Sequence, residues 1–253
     1  MSKSIKKAAK TSMLFLIFLS FFAAMATLAY LGIHSKTKAA ATNCYWVGDT
    51  SPAVWNDATH WSSSAGGAGS TCDSGTVPGS DDTVYFTSNN TNDVSIDISP
   101  TIRSFNINSG YTGTISFSGS QTMTVNGGSF VQADGIFTAP DTLNIYNDFT
   151  KSAGTFNEGT GTIAFNWTSG TIDVATTETF YNFIDNKNYH DSAQTWTLTI
   201  ASGDTLVVDG TLYLTDGVLN GGTINANGNA TVGSAFHGGS TEAIVNVHVW
   251  AES

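Results

Sequence analysis

The sequence predicts an all-β protein, a right-handed parallel β-helix (β-solenoid) of about eight coils behind a disulfide-pinned N-terminal cap, and three observations carry that expectation. Segments of the form Thr, apolar, small or polar, apolar recur at a spacing of 20: Thr122-Met123-Thr124-Val125, Thr142-Leu143-Asn144-Ile145 and Thr162-Ile163-Ala164-Phe165. Independent markers, Ser129-Phe130, Gly135 and Phe137, return 19 residues later as Asp148-Phe149, Gly154 and Phe156. Composition agrees: Glu occurs four times, always after residue 157, while Thr, Gly, Ser and Asn fill the chain, a mixture of poor helix formers and good turn formers.

The N-terminal residues form a different element. Lys3, Lys6, Lys7 and Lys10 precede an apolar run from Met13 to Ile33, interrupted by Ser20, Thr27 and Gly32, which is the pattern of a hydrophobic export helix. Residues 1–41 are expected to be a signal peptide, cut after Ala26 or Ala41, or a signal anchor, because the run reaches the ~20 residues a membrane-spanning helix needs. With the Lys-rich flank inside, everything after residue 41 is exported to an extracellular or cell-surface location. The one membrane contact expected is through residues 13–33.

Charge narrows the partners. Six of the nine basic residues lie before residue 42 and all 20 acids lie after it, leaving Arg103, Lys151 and Lys187 in a body of formal charge −17. Such a body has no basic patch to neutralise phosphates, which excludes nucleic acid and anionic lipid as side-chain partners. Surface glycans and neighbouring surface proteins remain as partners.

Residues 42–82 read as an aromatic cap. Cys44 and Cys72, the only cysteines, are separated by 28 positions in an oxidising location and are expected to form one disulfide, closing a loop. With no second cysteine pair and no histidine at metal spacing, neither a zinc site nor a thiol nucleophile is expected. Three of the six tryptophans, Trp46, Trp55 and Trp61, crowd into this segment. Their plain reading is a hydrophobic lid over the end of the stack; the sharper one is a glycan contact in which flat indole faces stack on sugar rings. His60, beside Trp61, reads as a packed or solvated side chain.

Residues 83–253 read as the solenoid repeats. Each period holds two or three strands of three to five residues with period-2 alternation, separated by Gly, Asn, Asp or Ser turns. Such a unit cannot bury its apolar stripe alone. Stacking successive coils about 4.8 Å apart pairs every strand with its equivalent above and below and piles like residues into columns. Met123, Leu143 and Ile163 should form one column, Phe137 and Phe156 another. Gly210-Thr211-Leu212-Tyr213-Leu214 and Gly228-Asn229-Ala230-Thr231-Val232, spaced by 18, extend the pattern, with Thr205-Leu206 and Thr223-Ile224 in step. The markers blur between Thr176 and Ser202, where a loop is expected from Asp185 to Gln194. An immunoglobulin-like sandwich over residues 176–253 is the competing architecture. The segment Ala243 to Trp250 reads as a last strand with an unpaired edge.

The aromatic, disulfide-bearing head, ending in Val77-Pro78-Gly79-Ser80-Asp81-Asp82-Thr83-Val84-Tyr85-Phe86, and the Gly-x-Phe coils of Gly135-Ile136-Phe137 and Gly154-Thr155-Phe156 resemble exported parallel β-helix proteins of bacterial surfaces, including autotransporter-passenger and adhesin-like repeats. The resemblance implies a non-catalytic structural or adhesive role without naming a ligand. The chain departs from the autotransporter pattern in showing no C-terminal membrane barrel, and it shows no sortase-type anchor, so cell attachment would rest on the N-terminal helix.

A carbohydrate-active β-helix enzyme, lyase or glycosidase, is the catalytic alternative. Glycoside hydrolysis needs two convergent carboxylates, for which Asp81 with Asp82, or Asp204 with Asp209, are candidates. Adjacent turn acids more often bond nearby backbone, and three scattered cations offer little to hold an acidic substrate for a lyase. No nucleophile elbow, His-Glu-x-x-His or phosphate loop is present, and His190, His237 and His248 are isolated. No cofactor is expected. Calcium has its best candidate loops at Asp204 to Asp209 and Asp216 to Gly222, which match neither the EF-hand nor the calcium-roll spacing. Thr122, Thr142 and Thr162 suggest an ice-matching column, but the neighbouring column, Thr124, Asn144 and Ala164, is irregular.

Overall fold

The computed structural model describes residues 42–166, 169–186, 196–238 and 244–247. The chain divides into two compact units, Met1–Ala39 and Ala40–Ser253. The expected export helix and the rest of residues 1–41 lie outside the described residues.

Strands of two to five residues, with two longer ones, wind through three parallel ladders. The first ladder runs through Asn43–Trp46, Thr83–Phe86, Ser104–Ile107, Phe130–Gln132, Phe149–Lys151, Gly170–Val174 and Thr197–Ile200. The second holds Ala53–Val54, Val94–Ile96, Thr114–Phe117, Ile136–Thr138 and Thr155–Asn157. A separate sheet of Thr177–Phe180, Thr205–Val208, Thr223–Ala226 and Ile244–Val247 supplies the second strand of each later coil. The third ladder is Thr101–Ile102, Thr122–Val125, Thr142–Ile145, Thr162–Asn166 and Asn182–Asn186. The ten-residue strand Thr211–Asn220 joins the third ladder to the first: its front half pairs with Asn182–Asn186 and its back half with Thr197–Ile200. Asn229–Gly238 pairs with Thr211–Asn220 on both sides of a register shift between Leu214 and Asp216.

Seven coils have all three of their strands within the described residues, with partial coils at both ends, rather than the eight expected. The difference comes from coil length: Gly170 pairs with Leu198 and Thr177 with Thr205, so that part of the stack takes 28 residues per coil where the repeat of 20 was expected to hold.

The predicted columns are present in register. Leu143 lies opposite both Met123 and Ile163, and Phe137 opposite Phe156. Phe105, Phe130 and Phe149 form a continuous stack, with centroids 5.4 and 5.0 Å apart and interplanar angles of 17° and 5°. The inward positions are apolar because period-2 alternation sends every second residue to the interior. Large aromatics at those positions each bury roughly 150–250 Å². Along the third ladder amides bond between coils: Asn166 Nδ2 donates to Asn144 Oδ1, two positions out of register, and Asn186 Nδ2 to its register partner Asn166 Oδ1, both at 3.2 Å. Each amide satisfies the next, so half-buried polar groups keep partners.

Two sequence expectations change. Between residues 176 and 247 the described strands remain parallel coils, so the sandwich alternative is replaced. Asp185 and Asn186, expected in a loop, end the strand Asn182–Asn186, with Asp185 fully buried; residues 187–194 of that loop lie outside the described residues. The markers blur here because Asp185 occupies an inward position in the column of Ile145 and Phe165.

Candidate functional site

The cap is built by burial, and this removes the tryptophans from the list of surface contacts. Trp61–Ser62 turns back antiparallel onto Asn43–Trp46, and a disulfide joins Cys44 to Cys72. Trp46, Trp55 and Trp61 are at most 1% exposed. Trp61 sits edge-on to Trp46 and Trp55 at centroid distances of 5.1 and 4.5 Å, and all three approach Phe86. An indole with both faces packed cannot stack on a sugar; the first inward layer of the solenoid needs covering, and these rings cover it. His60 joins the lid: a carbonyl can only accept, so Nδ1 donates to Val54 O at 2.8 Å, while Nε2 lies 3.5 Å from Asp49.

The candidate acids are also structural. Asp82 Oδ1 accepts from Thr42 N at 3.0 Å and Thr42 Oγ1 at 2.6 Å, and Oδ2 from Gly79 N at 2.8 Å, which ties the start of the cap to its end. Asp204 is buried and accepts from Val174 N at 2.8 Å, whereas Asp209 is exposed and accepts from Asn227. The strand Thr205–Val208 separates the two acids, and at ~3.3 Å per residue it holds them about 16 Å apart. A glycosidase pair stands roughly 5–9.5 Å apart. The calcium candidates fail similarly: Asp204 to Asp209 is largely that strand, and Asp216 lies within Thr211–Asn220, bonding the next residue's N–H. Among the described residues one group of potential ligand atoms, Cys44, Cys72 and Asp82, lies within 4.8 Å. The disulfide consumes both thiolates that a metal would need.

The structure brings a different set together. A concavity of about 380 Å³ opens on the outer surface of the first ladder, lined by Thr83, Tyr85, Arg103, Ser104, Asn106, Gly128, Ser129 and Val131. That volume is in the range of small-molecule sites, roughly 300–1,000 Å³. Its shape follows from the outward columns. Tyr45 and Tyr85 stack at 5.0 Å with their planes 17° apart, and the next two residues in that column are the smaller Asn106 and Val131. The hollow therefore begins where the tyrosine column stops. Beside it, Thr83 and Ser104 are paired in register.

Arg103 forms one wall. It occupies the sharp turn between the strands Thr101–Ile102 and Ser104–Ile107, held by its own N–H donating to Asp82 O at 2.9 Å and by Gly128 N donating to Arg103 O at 2.7 Å. A Cβ on Gly128 would collide with Ser104 Oγ, and one on Gly127 would meet Arg103 Cγ at 3.7 Å. Gly128 therefore leaves the space that Ser104 and the floor of the hollow occupy, while Gly127 lies at ordinary contact distance from the arginine stem. Asn106 donates to Val84 O at 3.1 Å, and Ser129 Oγ to Asp148 Oδ2 at 3.3 Å. No carboxylate lines the hollow.

Sequence reasoning counted Arg103 and Lys151 as scattered cations, and the structure separates them. Lys151 follows Phe149 by two and so points inward, meeting Glu178 at 2.7 Å with side chains only 13% and 8% exposed. Arg103 is exposed and, among the described residues, has no ion-pair partner. The signal that could have found the hollow was the shrinking outward series Tyr45, Tyr85, Asn106, readable once the register is known. His190, His248 and the side chain of His237 lie outside the described residues. The chain matches no protein-family model, no curated protein and no solved structure.

Proposed function

We propose that the chain is a non-catalytic structural and adhesion module of the cell surface or extracellular space, an exported right-handed β-solenoid like the adhesin-like repeats it resembles, either released or held by residues 13–33. The observation that carries this reading is the outer hollow, which offers a ring, an amide, hydroxyls and a guanidinium but no carboxylate. Such a lining can hold a partner by hydrogen bonds and stacking, while it lacks the paired acid and base that glycosidic cleavage requires. A column-filled core suits a rigid presenting surface, because each coil is fixed by its neighbours above and below.

The test is adhesion and turnover in parallel. Beads or cells displaying the full chain are expected to adhere to glycan-bearing surfaces or neighbouring cells. Polysaccharides incubated with the chain are expected to keep their length by size-exclusion chromatography. Shortened products would establish the lyase or glycosidase alternative, and absence of adherence would overturn the adhesive role.

A further inference from the structure

We infer that the hollow beside Arg103 binds a saccharide unit bearing an acidic group, a carboxylate or a sulfate ester, with the guanidinium on the acid and Tyr85 against the ring. This rests on the adhesion reading and names the ligand class that such a module would take.

Arg103 is the only arginine in the chain, and it stands in a body where acids outnumber bases heavily. A guanidinium in such surroundings finds a carboxylate easily, yet among the described residues Arg103 has none within 4.0 Å, although Lys151 has found Glu178. Its backbone is fixed at both ends by hydrogen bonds to neighbouring coils, so the planar fork starts from an anchored stem. Five N–H donors in that fork match the two oxygens of a carboxylate or sulfate in bidentate fashion.

Two acids of the adjacent coils are engaged elsewhere: Asp82 accepts from Thr42 and Gly79, and Asp148 from Thr171 N and Ser129 Oγ. Neither lines the hollow, so the anion is not refused at contact distance.

The rest of the wall fits a sugar ring rather than a bare anion. Tyr85 and Val131 present apolar surface suited to the C–H face of a pyranose. The hydroxyls of Thr83 and Ser104 carry no hydrogen bond among the described residues, and Asn106 Oδ1 accepts none. These groups supply both donors and acceptors for vicinal hydroxyls. A phosphate or sulfate ion alone would use the arginine and leave this wall idle.

The experiment applies the full chain to a glycan array holding neutral, uronate-, sialate- and sulfate-bearing glycans, with Arg103→Gln, Arg103→Lys and Tyr85→Ala alongside and thermal unfolding as the folding control. Wild type is expected to bind acidic glycans, with uronate or sialate against sulfate identifying the acid. Arg103→Gln should weaken binding about tenfold or more and Arg103→Lys less. Tyr85→Ala should weaken it while leaving the preference for acid, and raised salt should reduce wild-type binding more than that of Arg103→Gln. Binding of neutral glycans alone, binding untouched by Arg103→Gln, or no glycan bound at all would each overturn the inference. Bead adhesion separates the two readings: adhesion that persists in Arg103→Gln removes this site and leaves the adhesive module standing. Wild-type beads that do not adhere remove the module itself.

Discussion

The two ends of the solenoid solve the same problem differently. In the coils between residues 83 and 166 two of the buried columns are aromatic, with Phe105, Phe130 and Phe149 stacked and Phe137 and Phe156 meeting them edge-on. Above these coils sit three buried tryptophans and a disulfide. From residue 197 onward the fully buried side chains are aliphatic, among them Leu198, Leu206, Leu212 and Ile224. There the last described strands leave Val232 61% and Ile244 59% exposed. A coil's stability is its own plus that of its interfaces, so a middle coil gains from two neighbours and a terminal one from one. The cap replaces the missing neighbour at one end; no described residue does so at the other.

The largest effect should come from the aromatic column. Phe130→Ala removes a ring that contacts Phe105, Phe137, Phe149 and Phe156 and is expected to cost about 3–5 kcal/mol in urea denaturation. A cost below that of Leu206→Ala would erase the distinction between the two halves. Next is the cap: replacing Cys44 and Cys72 together by Ala should cost ~3–4 kcal/mol by the chain-entropy argument. It should also make the Trp46 and Trp61 rings accessible to a fluorescence quencher. Quenching that is unchanged would show the lid to be independent of its clasp.

A smaller effect is expected at the buried ion pair. Lys151→Met leaves Glu178 inside without a cation and should cost about 2–3 kcal/mol, somewhat under the full penalty because both groups retain slight exposure. Lys151→Met with Glu178→Leu should recover to within about 1 kcal/mol of wild type, since an apolar pair removes both desolvation costs. A double variant as unstable as the single would mean that Lys151 packs rather than pairs.

Acid should expose a turn in the N-terminal half. The Asp134 carboxyl is held below the usual carboxylate range by the N–H of Gly110 first and of Gly135 second. A carboxyl lowered in the folded state contributes stability that is present above its unfolded pKa of ~3.9 and lost as pH falls through the folded value. Asp134→Asn should therefore flatten the loss of stability from about pH 4 downward and leave the pH 7 to 5 region parallel to wild type. A variant with an unchanged acid slope would remove Asp134 from the acid response.

Much of this fold was legible because its signal is repetition. Thr122, Thr142 and Thr162 share a register that pairing alone would impose, and Met123, Leu143 and Ile163 followed automatically. The disulfide was legible from the count, two cysteines with no other partner in the chain. What escaped depends on which side of the chain a residue faces. Lys151 counts by type as one of three scattered cations, although its position two after Phe149 places it inward by period-2 alternation, where it meets Glu178. The tryptophans carried no periodicity that would distinguish lid from platform. The Arg103 hollow required three coils in register, since its walls come from residues 83–85, 103–106 and 128–131, and no single period contains them.

The weakest effect tests the last described strand. Ile244 points outward from the last strand of its sheet, pairing with Thr223 on one side, so Ile244→Ser should change stability by less than about 0.5 kcal/mol. The informative measurement is hydrogen exchange, because opening a terminal coil breaks one interface whereas opening an inner coil breaks two. Amides of Ile244–Val247 should exchange first, those of Thr223–Ala226 next and those of Thr205–Val208 later, with Phe130–Gln132 slowest. That order follows from counting interfaces and from the aromatic content of the inner coils, without reference to local hydrogen-bond geometry. Protection of Ile244–Val247 equal to that of Phe130–Gln132 would require a neighbour over the last described strand, and the contrast between the two ends would no longer hold.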